Sequence, residues 1–248
     1  MIAASYYAKG IVNAVCQDSY ALEVIEKGKT EGALLLVCDG IGGLQEGEYA
    51  SRFVTDYMKA WFYERVAGCI KSRIAKAKTK RLIRPCVRAL YECHVTLTQH
   101  GLHNNIKLGT TMTLVLVIKR RFFLFHVGDS RAYIVGKKGR CITKDDIYKH
   151  NVLSKCIGSF PWRGVCIEKG KLKKGQGILV CSDGIYKAFL EEELLAVFDT
   201  AKPFTERKLR KRLDRLAWEA RQRGSIDDQT AVVVYLERKR NGSNNIQG

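Results

Sequence analysis

The chain has 248 residues, 46% hydrophobic and 27% charged, which is enough apolar material for one well-buried core. Its 43 Lys and Arg against 25 Asp and Glu give a formal charge of +18, so nucleic acid, an anionic surface and acidic partners all have to be weighed. No zinc-finger spacing, basic-zipper heptad or aromatic RNA-binding signature accompanies that charge; no apolar run reaches the length of a membrane span; and the first ten residues lack the basic and apolar blocks of a secretory signal.

In chain order, residues 3–9 and 19–26 read as strands separated by a loop that opens with Gly10. Residues 33–38 are six apolar residues running into a carboxylate, Asp39, after which Gly40, Gly42 and Gly43 let the backbone turn sharply. Residues 44–62 predict a helix with Tyr49, Ala50, Phe53, Val54, Tyr57, Met58 and Trp61 on one face. A second helix is expected from Pro85 to Gln99 with Val87, Leu90 and Tyr91 inward. The segment before it carries the densest charge: from Lys71 to Arg88 there are eight basic residues and no acidic one. That run is read as a solvated face or as a docking surface for an acidic partner.

Residues 111–118 and 122–127 form the next strands, turned at Lys119-Arg120-Arg121, and the second runs into Gly128-Asp129-Ser130-Arg131. Residues 131–135 and 140–143 continue the meander, and 145–156 are helical or irregular. Residues 165–172 and 178–181 return to strand, the latter ending in Ser182-Asp183-Gly184. A short helix at 191–198 and a long amphipathic one at 205–223 follow, the latter with Leu209, Leu213, Leu216, Ala217 and Ala220 at helical spacing. Asp227-Asp228 precede a last strand at 231–237, and a polar, disordered tail is expected at 239–248 beyond a single domain at 1–238. Nine cysteines with no Cys-x-x-Cys spacing predict free thiols in a reducing cytosol, hence a cytoplasmic protein.

Strands and helices arrive in blocks, which predicts an α+β fold: a central β-sandwich of two antiparallel sheets flanked by helices, in αββα layers. Four apolar strands each place an Asp at one end. If those ends converge, they make a carboxylate cluster of the kind hard cations stabilise.

The order of these motifs resembles the metal-dependent Ser/Thr protein phosphatases of the protein phosphatase 2C family, in their compact bacterial form. The resemblance rests on Asp18, Asp39-Gly40-x-Gly42-Gly43, Gly109-Thr110-Thr111, Gly128-Asp129-Ser130-Arg131, Ser182-Asp183-Gly184 and Asp227-Asp228-x-Thr230, with Leu153-Ser154-Lys155-x-x-Gly158 as a weaker landmark. It implies hydrolysis of phosphoserine and phosphothreonine by a water shared between two ions, with Asp39, Asp18 and Asp183 as catalytic residues. It also implies two or three Mn²⁺ or Mg²⁺ ions. Asp39 would bridge two of them, Asp183 and Asp227 would complete the first site, and the Gly40 carbonyl would serve the second. Asp18 would orient from behind, and Asp129 with Asp183 would hold a third ion. Phosphoprotein substrates, opposing a Ser/Thr kinase, are the implied partners; nucleic acid and membrane are not.

Two positions depart from the family pattern. Asn13 stands where an arginine grips the substrate phosphate, which makes it the phosphate-binding candidate with a neutral donor, and Gln17 stands where an acidic residue serves the second metal. They open an alternative: a weak or inactive pseudophosphatase that binds phosphoproteins as a regulatory module. His100 and His103 are read as surface residues, His126 as a packed strand residue, and Gly109-Thr110-Thr111 as the tight entry to a strand beneath the site.

Overall fold

A computed structural model describes residues 1–27, 30–68, 79–148, 152–199 and 204–236. The expected tail at 239–248 and much of the basic run from Lys71 lie outside the described residues; of that run, Arg81, Arg84 and Arg88 are exposed.

The apolar runs become strands because both of their faces are covered. β1 (Ile2–Ala8), β2 (Asp18–Lys27), β3 (Thr30–Asp39), β4 (Gly109–Thr110), β5 (Met112–Ile118), β6 (Arg121–Val127), β7 (Arg131–Gly136), β8 (Arg140–Cys141), β9 (Ile157–Gly158), β10 (Cys166–Lys171), β11 (Gln176–Cys181) and β12 (Gln229–Tyr235) build two five-stranded antiparallel sheets and a two-stranded ribbon. One sheet runs β1-β12-β11-β7-β8 and the other β10-β6-β5-β3-β2. Successive side chains of a strand point to opposite faces. In β3, Ala33, Leu35 and Val37 therefore enter the core between the sheets, where they join Val115, Val117, Val180 and Val232. Leu34, Leu36 and Cys38 enter a second core with helix residues Val54, Met58, Leu90 and Leu97. On the far side, Tyr133, Leu179 and Val233 pack with Leu209, Leu213 and Leu216. This is the predicted αββα sandwich, and three apolar layers explain why its central strands show no polar alternation.

Among the described residues the α-helices are α1 (Gly47–Trp61), α2 (Ile83–Asn104), which a 3-10 turn at Thr79–Leu82 precedes, α3 (Asp183–Tyr186), α4 (Glu191–Ala196) and α5 (Glu206–Gln222). α1 begins three residues later than its apolar pattern suggests, because Leu44 and Gln45 donate to the carbonyls of Ile41 and Lys107 and hold the glycine turn open. It continues through one π turn, Phe62–Ala67. Two expected inward residues are exposed: Tyr49 by 41% and Tyr91 by 47%. The Tyr49 ring stacks instead on His100 at 4.6 Å between centroids, and the Tyr91 ring meets Trp162 edge to face at 5.5 Å. The β4–β9 ribbon was not legible in the sequence, since two-residue strands carry no periodicity.

Candidate metal centre

Sheet topology brings the Asp-bearing ends together. Asp39 closes β3, Asp129 follows β6, Asp183 opens α3 directly after β11, and Asp227 precedes β12. All four line one cavity of about 520 Å³, together with Asn13, Gln17, Gly40, Lys187 and Asp228. A hollow of about 650 Å³ between α1 and α2 is larger, but its walls (Tyr57, Trp61, Arg65, Arg84, Arg88 and Glu92) do not converge carboxylates from separate strands.

Hydrogen bonds from both sheets fix the floor. The Asp39 amide donates to Thr111 Oγ1 at 3.0 Å, and Thr110 Oγ1 donates to the Asp39 carbonyl at 2.9 Å. This is the strand entry beneath the site that the Gly-Thr-Thr motif predicts. Gly40 has no room for a side chain, since a Cβ there would lie 2.4 Å from the Gly47 carbonyl oxygen. Its amide donates to the Gln17 carbonyl at 2.9 Å. Asp18, paired in register with Asp39, lies behind the cavity wall at 3% exposure, where Ser182 Oγ donates to its Oδ2 at 2.7 Å.

Asp228 does something the sequence reading did not assign. Its two carboxylate oxygens accept from the amides of Gly10 at 2.6 Å and Gln17 at 2.7 Å, which ties both ends of the 10–17 loop to the sandwich. Asn13 and Gln17 consequently sit at the cavity rim, where Asn13 Nδ2 donates to Gln17 Oε1 at 3.1 Å. Two other bases near the landmarks are engaged: Lys9 Nζ donates to the Asn13 carbonyl, and Lys155 pairs with Asp146 at 2.6 Å. Of the histidines singled out in the sequence, His103 is exposed, His100 is half-buried at the surface and His126 is packed inside its strand. His100 pairs with Glu46, and buried His126 meets Thr113 Oγ1 at 2.9 Å with burial holding its pKa down.

Electrostatically the cavity strains toward protonation. Burial, then Asp18, Asp183, Asp129 and Asp227, push Asp39 well above the usual carboxylate range. Burial, then Asp183, raises Asp129 to about 6 and also raises Asp227. Burial pushes Asp18 up to about 7 from 3.8, with Asp183 and Asp228 adding to it against the hydroxyls of Thr230 and Ser182. A raised carboxylate contributes stability that is full below its unfolded pKa and is lost as pH rises through its folded one. Stability in chelator should therefore fall between about pH 4 and about pH 7, by about a few kcal/mol for Asp18, and Asp18→Asn should flatten that fall, read as unfolding free energy against pH. An equally steep fall in the variant would contradict the assignment.

Do these residues suit metal ions? The donors are all oxygen, the set that hard Mg²⁺ or Mn²⁺ prefers. Asp183 Oδ1 is buried with no hydrogen-bond partner, an acceptor with no donor against it. Among the described residues no three His, Cys, Asp or Glu form a group able to hold an ion by themselves. What the all-oxygen donor set suits is an ion that keeps several waters and takes one or two carboxylates.

A profile described as Protein phosphatase 2C matches residues 9–217. The chain belongs to the protein phosphatase 2C family. The match includes Asp18, Asp39, Asp129 and Asp183, while Asp227 and Asp228 lie beyond it and join the site by geometry. A putative protein phosphatase of Mycoplasma genitalium is 23% identical over 261 residues, covering 93% of each chain. The fold is shared with the Ser/Thr phosphatase Stp1 of Staphylococcus aureus (TM-score 0.76, 23% identity, 96% of each chain covered). It is shared also with the catalytic domain of the phosphatase PstP in complex with two manganese ions (TM-score 0.70, 24% identity, 93% of this chain and 96% of that one). Among the described residues of this family member, no helix is long and apolar enough to cross a membrane.

Proposed function

We propose that this chain is a Mg²⁺- or Mn²⁺-dependent protein phosphatase that hydrolyses phosphoserine and phosphothreonine in phosphoproteins, opposing a Ser/Thr kinase. The observation that carries the reading is the convergence of Asp39, Asp129, Asp183 and Asp227, from four separate strand ends, on one cavity. Family membership supports it, as does the two-manganese complex of the related PstP domain. Divalent ions, when bound, would acidify a water for in-line attack and neutralise charge on the phosphoryl group.

The protein's own residues would divide the work. Asp39, whose field includes Asp18, Asp183, Asp129 and Asp227, is the carboxylate best placed to be shared between ions. Asp183 offers its free Oδ1, Asp227 joins from the start of β12, and the Gly40 carbonyl adds a neutral donor. Asp18 acts from behind by fixing Ser182 beside Asp183. Asn13 would meet the substrate phosphate at the rim, with an amide already donated to Gln17.

The test is hydrolysis of a phosphothreonine peptide and an aryl phosphate with Mn²⁺, Mg²⁺ or chelator. Turnover with either ion and none in chelator is expected. Metal-independent turnover would sink the metal-centre reading. Metal binding without turnover would instead favour the phosphoprotein-binding module, for which the Asn13–Gln17 amide pair, in place of charged groups, is the specific structural motive.

A further inference from the structure

The cavity holds one basic side chain that neither the motif reading nor the proposed roles use. Lys187 lies one helical turn after Asp183, so its ammonium returns over the start of α3. Its Nζ is 2.6 Å from Asp183 Oδ2 and 3.9 Å from Asp129 Oδ2. An ordinary surface pair would join neighbours on one helix. This ammonium also reaches a carboxylate from the end of β6 and lines the same cavity as Asp39 and Asp227.

We propose that the Lys187 ammonium is the permanent cation of the Asp129–Asp183 edge, so that this edge takes no divalent ion and metal is confined to the Asp39–Asp227 side. The inference rests on reading the cavity as a metal centre. Two carboxylates facing one space repel unless a cation lies between them. A tethered ammonium supplies that charge at high effective concentration and needs no metal from solution. Because Lys187 engages Asp183 through Oδ2, the partnerless Oδ1 stays available on the other side. The carboxylate is divided between a resident charge and an exchangeable one. A divalent ion placed between Asp129 and Asp183 would meet the ammonium at contact distance, and like charges at that range in a partly enclosed cavity exclude one another.

The experiment is calorimetric titration of Mn²⁺ into the parent, Lys187→Gln and Lys187→Arg, with melting of each in chelator. Lys187→Gln should bind one more ion than the parent and melt a few degrees lower without metal, because its carboxylates have lost their counter-charge. Lys187→Arg should keep the parent's stoichiometry and melting. Adding Asp129→Asn to Lys187→Gln should remove the extra ion, which would locate it. Equal ion numbers in the parent and Lys187→Gln would overturn the proposal whatever the melting does. Absence of binding in every protein would overturn the phosphatase reading of the cavity and the proposal with it, so the two failures are distinguishable.

Discussion

Asp39→Asn is expected to lower kcat/KM at saturating Mn²⁺ by about a thousandfold or more, the equivalent of about 4 kcal/mol of transition-state stabilisation. The expectation follows from position. Asp39 sits where the fields of Asp18, Asp183, Asp129 and Asp227 meet, and burial already disfavours its charge. Its backbone is held by Thr110 and Thr111, so the amide replacement keeps both hydrogen bonds and should preserve the fold. Removing one negative charge from a mutually repelling set should also raise stability in chelator, which separates loss of metal chemistry from loss of structure. Steady-state kinetics on a phosphothreonine peptide, with melting in chelator, measures both. Activity like the parent's in a folded Asp39→Asn would remove Asp39 from the centre of the account.

The second large effect is expected at the cavity rim. Asn13→Arg should raise kcat/KM about ten- to a hundredfold, because a charge-assisted grip on phosphate contributes roughly 1.5–3 kcal/mol. Gln17→Glu should chiefly lower the Mn²⁺ concentration needed for half-activation, since it adds a hard anionic oxygen beside Gly40. The structure adds a reason for coupling: Asn13 Nδ2 donates to Gln17 Oε1, and Asp228 fixes the loop that carries both. A change at either residue frees the other's amide, so the double variant should depart from the sum of the singles. Kinetics of all four proteins against Mn²⁺ concentration decides it. If neither substitution improves efficiency or metal response, the rim amides serve some other purpose than standing in for charged groups.

Much of the site was legible because each carboxylate carries a local signature. Asp39, Asp129 and Asp183 all terminate apolar runs beside glycine, and Asp227 stands just before one. The two-sheet sandwich was equally legible, since runs such as residues 33–38 are too apolar to have a wet face. What escaped the sequence depends on closure of the chain in space. Asp228 reads as the second half of an acidic pair, and only the fold shows it binding amides 218 and 211 positions away. Lys187 reads as a helix-surface lysine four residues after an Asp, a weak signal that gains meaning only when Asp129 arrives from another strand. Tyr91 lay on the apolar face of its helix, yet Trp162 gives its ring a partner at the surface, which no helical spacing encodes.

If the strand ends hold divalent ions in the folded protein, melting of the parent with millimolar Mn²⁺ against chelator should show it. An ion that binds only the folded state stabilises by mass action, about 2.7 kcal/mol at a hundredfold excess over Kd. For a chain of this size that corresponds to a rise of about 5–10 °C. Such a rise is expected in the parent at pH 7, and its loss in Asp39→Asn. A parent that melts at the same temperature in Mn²⁺, Mg²⁺ and chelator would contradict it.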